Sequence, residues 1–184
     1  KYSGGLISLS ACLAGEIPGH IMDGNYEAAK NAALTYKEIF GEENFYLELQ
    51  DHGIKEQALV NQEVVRLSRD TGIPLVATND VHYVEKEDAA AQDILLCIQT
   101  GKTIGEEGRL KFQGQEFYLK SPDEMYELFK YIPEALENTA KIAEKCNLDF
   151  SFGQVHLPAF EVPEGYTSDT YIRKLCYDGL EKTY

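Results

Sequence analysis

Three short apolar runs in this chain each end in residues able to bind a metal ion. Leu6-Ile7-Ser8-Leu9 leads to Ser10-Ala11-Cys12, Phe45-Tyr46-Leu47-Glu48-Leu49 to Gln50-Asp51-His52, and Ile73-Pro74-Leu75-Val76-Ala77-Thr78 to Asn79-Asp80-Val81-His82. Thiolate, imidazole and carboxylate suit zinc, manganese or iron. Asp80 and His82 lie two apart, which in extended backbone turns both the same way. Cys12, Asp80 and His82 are the candidate ligands. Each also has a structural reading. Cys12 beside an apolar run reads as a small buried hydrophobe, Asp80 after Asn79 as a turn or helix cap, and His82 beside Tyr83 as a hydrogen-bonded surface residue. His52, in Asp51-His52-Gly53, fits a ligand or a loop residue that orients the neighbouring acid.

The other candidates are weaker. His20 and His156 have no partners at metal spacing and read as structural, and Cys97 and Cys146 sit on helical stretches among apolar residues and read as core. Glu85-Lys86-Glu87-Asp88 reads as a solvated helix start. The sequence holds no Ser/His/Asp arrangement, phosphate-cradling glycine loop, C-x-x-C knuckle or closely spaced strand aspartates of a nucleotidyl-transfer site. By themselves these residues make half of a metal site.

The elements that must position them follow from periodicity. The three apolar runs read as strands. Between them, Tyr26, Ala29, Ala33, Tyr36 and Phe40 mark one helical face ending at Gly41, and Val60, Val64 and Leu67 mark another ending at Gly72, each glycine suiting a left-handed cap. The order β-α-β-α-β predicts parallel strands, in which function gathers at the carboxyl ends. A helix over 88–100 is expected next, with Ile94, Leu95 and Ile98 inward, then an exposed loop over 103–115. Ser121-Pro122-Asp123-Glu124 is a helix start with a capping box. Pro133 opens a second helix through Leu136, Ala140 and Ala143, paired with the first. Residues 149–166 read as an extended connection into a last helix from Ser168.

Composition bounds what this arrangement can do. The chain has 184 residues, 43% of them hydrophobic, and 17 basic against 31 acidic side chains give a net charge of −14. So negative a surface repels phosphate backbones, which argues against direct nucleic-acid binding by this chain. No stretch reaches the roughly 20 apolar residues of a membrane span. Four scattered cysteines suit reduced thiols in a cytosol. Lys1-Tyr2-Ser3-Gly4-Gly5 has no signal-peptide pattern and reads as the cut end of a longer chain. Three strands are also few for a (β/α) barrel of about eight. Open strand edges would then favour self-association of the isolated chain.

Long stretches resemble the alpha (catalytic) subunit family of bacterial DNA polymerase III. They are Gly5-Leu6-Ile7-Ser8-Leu9-Ser10-Ala11-Cys12-Leu13-Ala14-Gly15-Glu16-Ile17, Phe45 through Gly53, Val76 through Tyr83, Asp93 through Gly101, Pro133 through Thr139, and Leu157-Pro158-Ala159-Phe160. The likeness runs in order along essentially the whole chain. It implies an α/β fold: a partial (β/α) barrel of the polymerase-and-histidinol-phosphatase (PHP) type with three parallel strands, followed by a helical segment. The implied divisions are 1–105 for the later half of the barrel, 106–150 for the helical segment, and 151–184 for a connection and the first helix of the polymerase core.

The family pattern puts metal ligands at Cys12, Asp80 and His82 and leaves His52 as a residue that orients a ligand. Asp80 would bridge or terminate, with His82 and Cys12 terminal. The implied cofactor is a divalent metal, zinc, manganese or magnesium, held weakly or not at all by this piece alone, because the family's opening His-x-His pair has no counterpart here. The polymerase aspartates have none either, so the piece by itself is expected to be inactive. The parent activity implied is cytoplasmic, template-directed DNA synthesis, with 3′–5′ exonuclease action at the PHP site. Implied partners are DNA through the rest of the parent chain, a proofreading exonuclease subunit and a sliding clamp, with no membrane. A non-catalytic module bracing the polymerase is the alternative. A free-standing phosphoesterase would not need the helical pair and the Leu157-Pro158 connection.

Overall fold

A computed structural model describes residues 2–155 and 157–183, so His156 lies outside the described residues. The chain divides into two compact units, Lys1–Asn147 and Leu148–Tyr184.

In the first unit the three expected strands form: β2 (Phe45–Leu49) over the whole of its apolar run, β1 (Ser8–Leu9) and β3 (Leu75–Ala77) over part of theirs. They pair in parallel in the order β1-β2-β3, with Ser8 opposite Phe45 and Leu47 opposite Leu75. Helices on the connections are what a parallel sheet requires. α2 (Tyr26–Phe40) buries Ala29 and Ala33 and packs Tyr26, Tyr36 and Phe40 on the core, the face the spacing predicts. α3 (Lys55–Thr71) buries Val60, Val64 and Leu67, and Gly72 closes it in the left-handed conformation at φ 68°. Gly41 also has positive φ but extended ψ, 159°, so α2 leaves directly toward β2 instead of curling into a left-handed cap.

One helix escapes sequence reading. α1 (Glu16–Met22) contains Pro18 and Gly19, both poor helix formers. Pro18 is tolerated because the first-turn N–H groups have no partner within the helix. Ile17 and Ile21, one turn apart, are buried.

After β3 come a 3-10 turn (Lys86–Asp88) and α4 (Ala89–Thr100). The inward face of α4 is not the expected one. Ile94, Leu95 and Ile98 are exposed, and Leu96 and Cys97 are buried. The helix is apolar nearly all round, so its period selects no face. The Arg109 guanidinium selects it, gripping Asp93 with two bonds of 2.5 and 2.7 Å and drawing the 103–115 loop over the side that carries Asp93, Leu96 and Cys97. This bidentate pair holds the Asp93 carboxyl below its usual range.

α5 (Pro122–Phe129) starts with the expected capping box, Ser121 Oγ accepting from the Glu124 N–H and Glu124 accepting from the Ser121 N–H. α6 (Pro133–Lys145) lies against β3 and α5. Its Asn138 Nδ2 donates to Leu75 O at 2.7 Å and its Thr139 Oγ1 to Ala77 O at 2.9 Å. These are outward carbonyls of β3, so that edge is covered by a helix and does not offer the open template expected for self-association. Cys146 is not core: it is exposed at the C-cap of α6, where the chain leaves the helix.

The core of this unit gathers Ile17, Leu47, Leu49, Val64, Leu67, Ile73 and Phe129 around β2. In the second unit, α7 (Ser168–Thr183) forms where expected, and the described residues before it have no regular structure. No helix among the described residues is long and apolar enough to cross a membrane.

Candidate metal centre

The carboxyl ends of the strands form a rim, as parallel topology demands. Beyond β3, Asp80 has φ 47°, a left-handed conformation for a residue with a side chain. The turn presents Asp80 and His82 side by side, with Oδ1 and Nε2 3.4 Å apart and each side chain about one-third exposed. Two donors each about 2.0–2.2 Å from one tetrahedral ion sit roughly 3.3–3.6 Å apart, so this pair fits two positions around a single ion.

Around the pair is an aromatic frame. Phe112 tilts on the His82 ring at 4.3 Å between centroids, Phe117 meets it edge-on at 5.6 Å, and Phe117 stacks on His52 at 3.9 Å. The His82 N–H donates to Phe117 O. The Asn79 amide donates to Tyr118 O at 2.7 Å. Residues 112–120 therefore back the loop that carries Asp80 and His82.

His52 is buried at 3% exposure, and both of its ring nitrogens have protein partners. Its Nε2 lies 2.8 Å from Asn79 O and its Nδ1 2.9 Å from Gln57 Nε2. Gln57 Oε1 accepts from the His52 N–H, which fixes the amide and leaves its nitrogen toward the ring. Nδ1 is thus the acceptor and Nε2 the donor. His52 joins the β2–α3 turn to the residue before Asp80, its ring meeting a backbone carbonyl and not the neighbouring acid.

Cys12 is exposed, beyond β1, in a loop where Ala11 adopts φ 65°. Gly15 closes that loop against Cys12 O, and a Cβ there would come within 2.6 Å of Ser10 O. Cys12, Glu48, Gln50, Gln57 and Asn61 line one small cleft. Among the described residues no group of three or more His, Cys, Asp and Glu side chains could hold a metal ion. The structure unites Asp80 with His82 and places Cys12 across the rim. His20 is half-buried on α1, 4.0 Å from Glu16.

Sequence reasoning missed three residues that shape the rim. Gln57 and Asn61 are buried on the apolar stripe of α3, where Asn61 donates to Gln50 O at 2.9 Å. Two polar residues in register with Val60, Val64 and Leu67 were the available signal. The third, Glu48, sits in the central strand.

Comparison with known proteins adds what geometry does not. Residues 1–52 match the PHP domain family, so Asp80 and His82 fall outside the matched stretch. The chain is 51% identical over its whole length to DNA polymerase III subunit alpha of Borreliella burgdorferi, 44% to that of Treponema pallidum, and 39% to that of Thermus aquaticus. It spans 16% of the length of each of these relatives. End-to-end identity at this level to one stretch of proteins with a single name leaves one assignment: the chain belongs, as a segment, to the DNA polymerase III alpha-subunit family and carries PHP-domain sequence at its amino-terminal side.

Proposed function

We propose that this chain is part of a replicative DNA polymerase catalytic subunit, supplying one side of its PHP metal centre. Asp80, His82 and Cys12 are the ligands contributed, with further donors from elsewhere in the intact protein. The observation that carries this reading is the Asp80–His82 pair, spaced for one ion on the rim of a parallel sheet. When bound, a divalent metal would polarise a phosphodiester and activate water. The chain's own residues hold the carboxylate and imidazole ready. The left-handed turn at Asp80 aims both, Phe112 and Phe117 shield one side of the imidazole, and His52 and Asn79 fix the loop beneath. The reaction supported is 3′-end hydrolysis beside template-directed DNA synthesis, in the cytoplasm. DNA, a proofreading subunit and a sliding clamp would be engaged through the rest of the parent protein. The chain's net charge of −14 suits protein contacts better than DNA.

The test is metal content of the full-length subunit after dialysis, by mass spectrometry, against an Asp80→Asn/His82→Asn double variant. Near-stoichiometric zinc or manganese that falls by at least half in the variant supports the ligand assignment. Equal metal in both removes Asp80 and His82 from any site. A metal-dependent nuclease assay then separates catalysis from bracing: activity lost in Asp80→Asn supports the enzymatic reading, and metal without nuclease activity supports the structural one.

A further inference from the structure

Glu48 is the only residue of β2 that is not buried, and its carboxylate lies between the two loops that carry the candidate ligands. Oε2 accepts the Ala11 N–H at 3.1 Å, one residue before Cys12. Oε1 accepts the Thr78 hydroxyl, two residues before Asp80, and the Gln50 amide at 3.0 Å. The Glu48 N–H donates to Ser10 Oγ at 2.8 Å, so the residue grips the Cys12 loop from both its backbone and its side chain.

What it grips is strained. Ala11 and Asp80 are the non-glycine residues with positive φ among those described. Each flanks or is a candidate ligand. Such conformations are costly for residues with a side chain and persist only where the surroundings over-determine them. Hydrogen bonds to a carboxylate are strong enough to do so. Gln50 shows how firmly the carboxylate directs its neighbours. It turns its amide nitrogen to Glu48 and Thr78 while its own buried Oε1 meets no hydrogen-bond donor among the described residues.

We infer that Glu48 is a positioning residue, a single carboxylate that sets the Cys12 loop and the Asp80–His82 loop at fixed places on the rim. The inference rests on the metal-centre reading for its consequence and on the hydrogen bonds for its cause. A glutamine of the same shape brings an NH₂ group against one of the donors Ala11 N–H, Gln50 Nε2 or Thr78 Oγ1, so it keeps only part of the lock. Alanine keeps none.

The experiment uses the full-length subunit with Glu48→Gln and Glu48→Ala. The first readout is hydrogen exchange, by mass spectrometry, of the metal-free protein in peptides spanning residues 10–13 and 78–82. Zinc affinity, measured by competition with a chelating dye, is the second. In Glu48→Ala both loops should exchange roughly ten- to a hundred-fold faster, with peptides from α3 unchanged. Zinc affinity should drop about ten- to a hundred-fold, the usual effect of losing a residue that orients ligands. Glu48→Gln should fall between. Unchanged exchange in both loops overturns the inference, and so does faster exchange with wild-type zinc affinity. If the wild-type subunit binds no zinc, the metal-centre reading fails. Exchange then decides for Glu48, a rise keeping it as the organiser of both loops and no rise removing it.

Discussion

The two units of this chain are both rich in apolar side chains, yet they use them differently. In Lys1–Asn147 the central strand is buried apart from Glu48, and helices bring Ile17, Val64, Leu67 and Phe129 into one core with its Phe45, Leu47 and Leu49. In Leu148–Tyr184 Phe150, Phe152, Val155, Leu157 and Phe160 are exposed, as are Ile172, Leu175 and Leu180 on α7, and no described residue is buried. A sheet face or helix stripe becomes a core only against a second layer. The first unit has its layers within 147 residues. Among its described residues the second has one helix and otherwise no regular structure, and its ring contacts include Tyr166 with Tyr171 at 5.4 Å. Apolar content therefore says little about stability until the packing partner is identified.

The comparison is broken most directly by truncating one side chain in each unit. Leu47 is fully buried, and Leu47→Ala should cost about 2–5 kcal/mol in urea unfolding, through lost transfer energy and the cavity left behind. Phe152 is 91% exposed, and Phe152→Ala should stay within about 0.5 kcal/mol. A cost above about 1 kcal/mol for Phe152 would show that the second unit has a core of its own after all.

A smaller effect separates two threonines that both donate to backbone carbonyls. Thr139 caps Ala77 O at the outer edge of β3, and Thr139→Val should cost about 1–2 kcal/mol, because a half-buried carbonyl loses its partner. Thr183 donates to Gly179 O one turn back on exposed α7, and Thr183→Val should change stability by no more than a few tenths of a kcal/mol. Similar costs at both sites would mean that α6 does not secure the sheet edge.

How far the sequence alone reaches follows the same division between local and distant causes. The strands, α2, α3, the capping box at Ser121 and the start of α7 depend on neighbours a few residues away, and all were legible. The β-α-β-α-β order pointed to parallel strands, and family resemblance to the PHP-type fold and the polymerase family. The inward face of α4 was not legible, because Arg109, sixteen residues after Asp93, selects it. Nor was the burial of His52, which Phe117 achieves from 65 residues further along the chain. At the rim, the spacing of two suggested Asp80 and His82 as a pair through extended backbone, whereas the structure sets them side by side through a left-handed turn at Asp80. The role of Glu48 was not legible, because its partners Ala11 and Thr78 lie 37 and 30 residues away and carry no signature of their own.

The finest test is electrostatic and sets one ion-linked pair in each unit side by side. In the first, the Tyr118 hydroxyl donates to Glu124 at 2.5 Å. That bond, with the Ser121 groups of the capping box, holds Glu124 down at about 2 from an ordinary 4.5 and raises Tyr118 to about 12 from 10.0. A carboxyl depressed by folding stabilises above its ordinary value, and the benefit is lost as pH falls from 4.5 toward 2. A phenol raised by folding stabilises below its ordinary value, and that benefit is lost as pH rises from 10 toward 12. Tyr118→Phe should therefore flatten the stability profile of the first unit at both ends, the acid end only in part because Ser121 still donates to Glu124. In the second unit Lys174 pairs with Asp178 on the open surface of α7, both nearly half exposed, and the pair raises the lysine from its ordinary value. Exposed pairs of this kind add little and are screened by salt. Lys174→Met should leave the profile unchanged between pH 4 and 9 at about 0.15 M salt. A profile that flattens for Lys174→Met and not for Tyr118→Phe would reverse the order of the two units, making the exposed helix the more tightly held of the two.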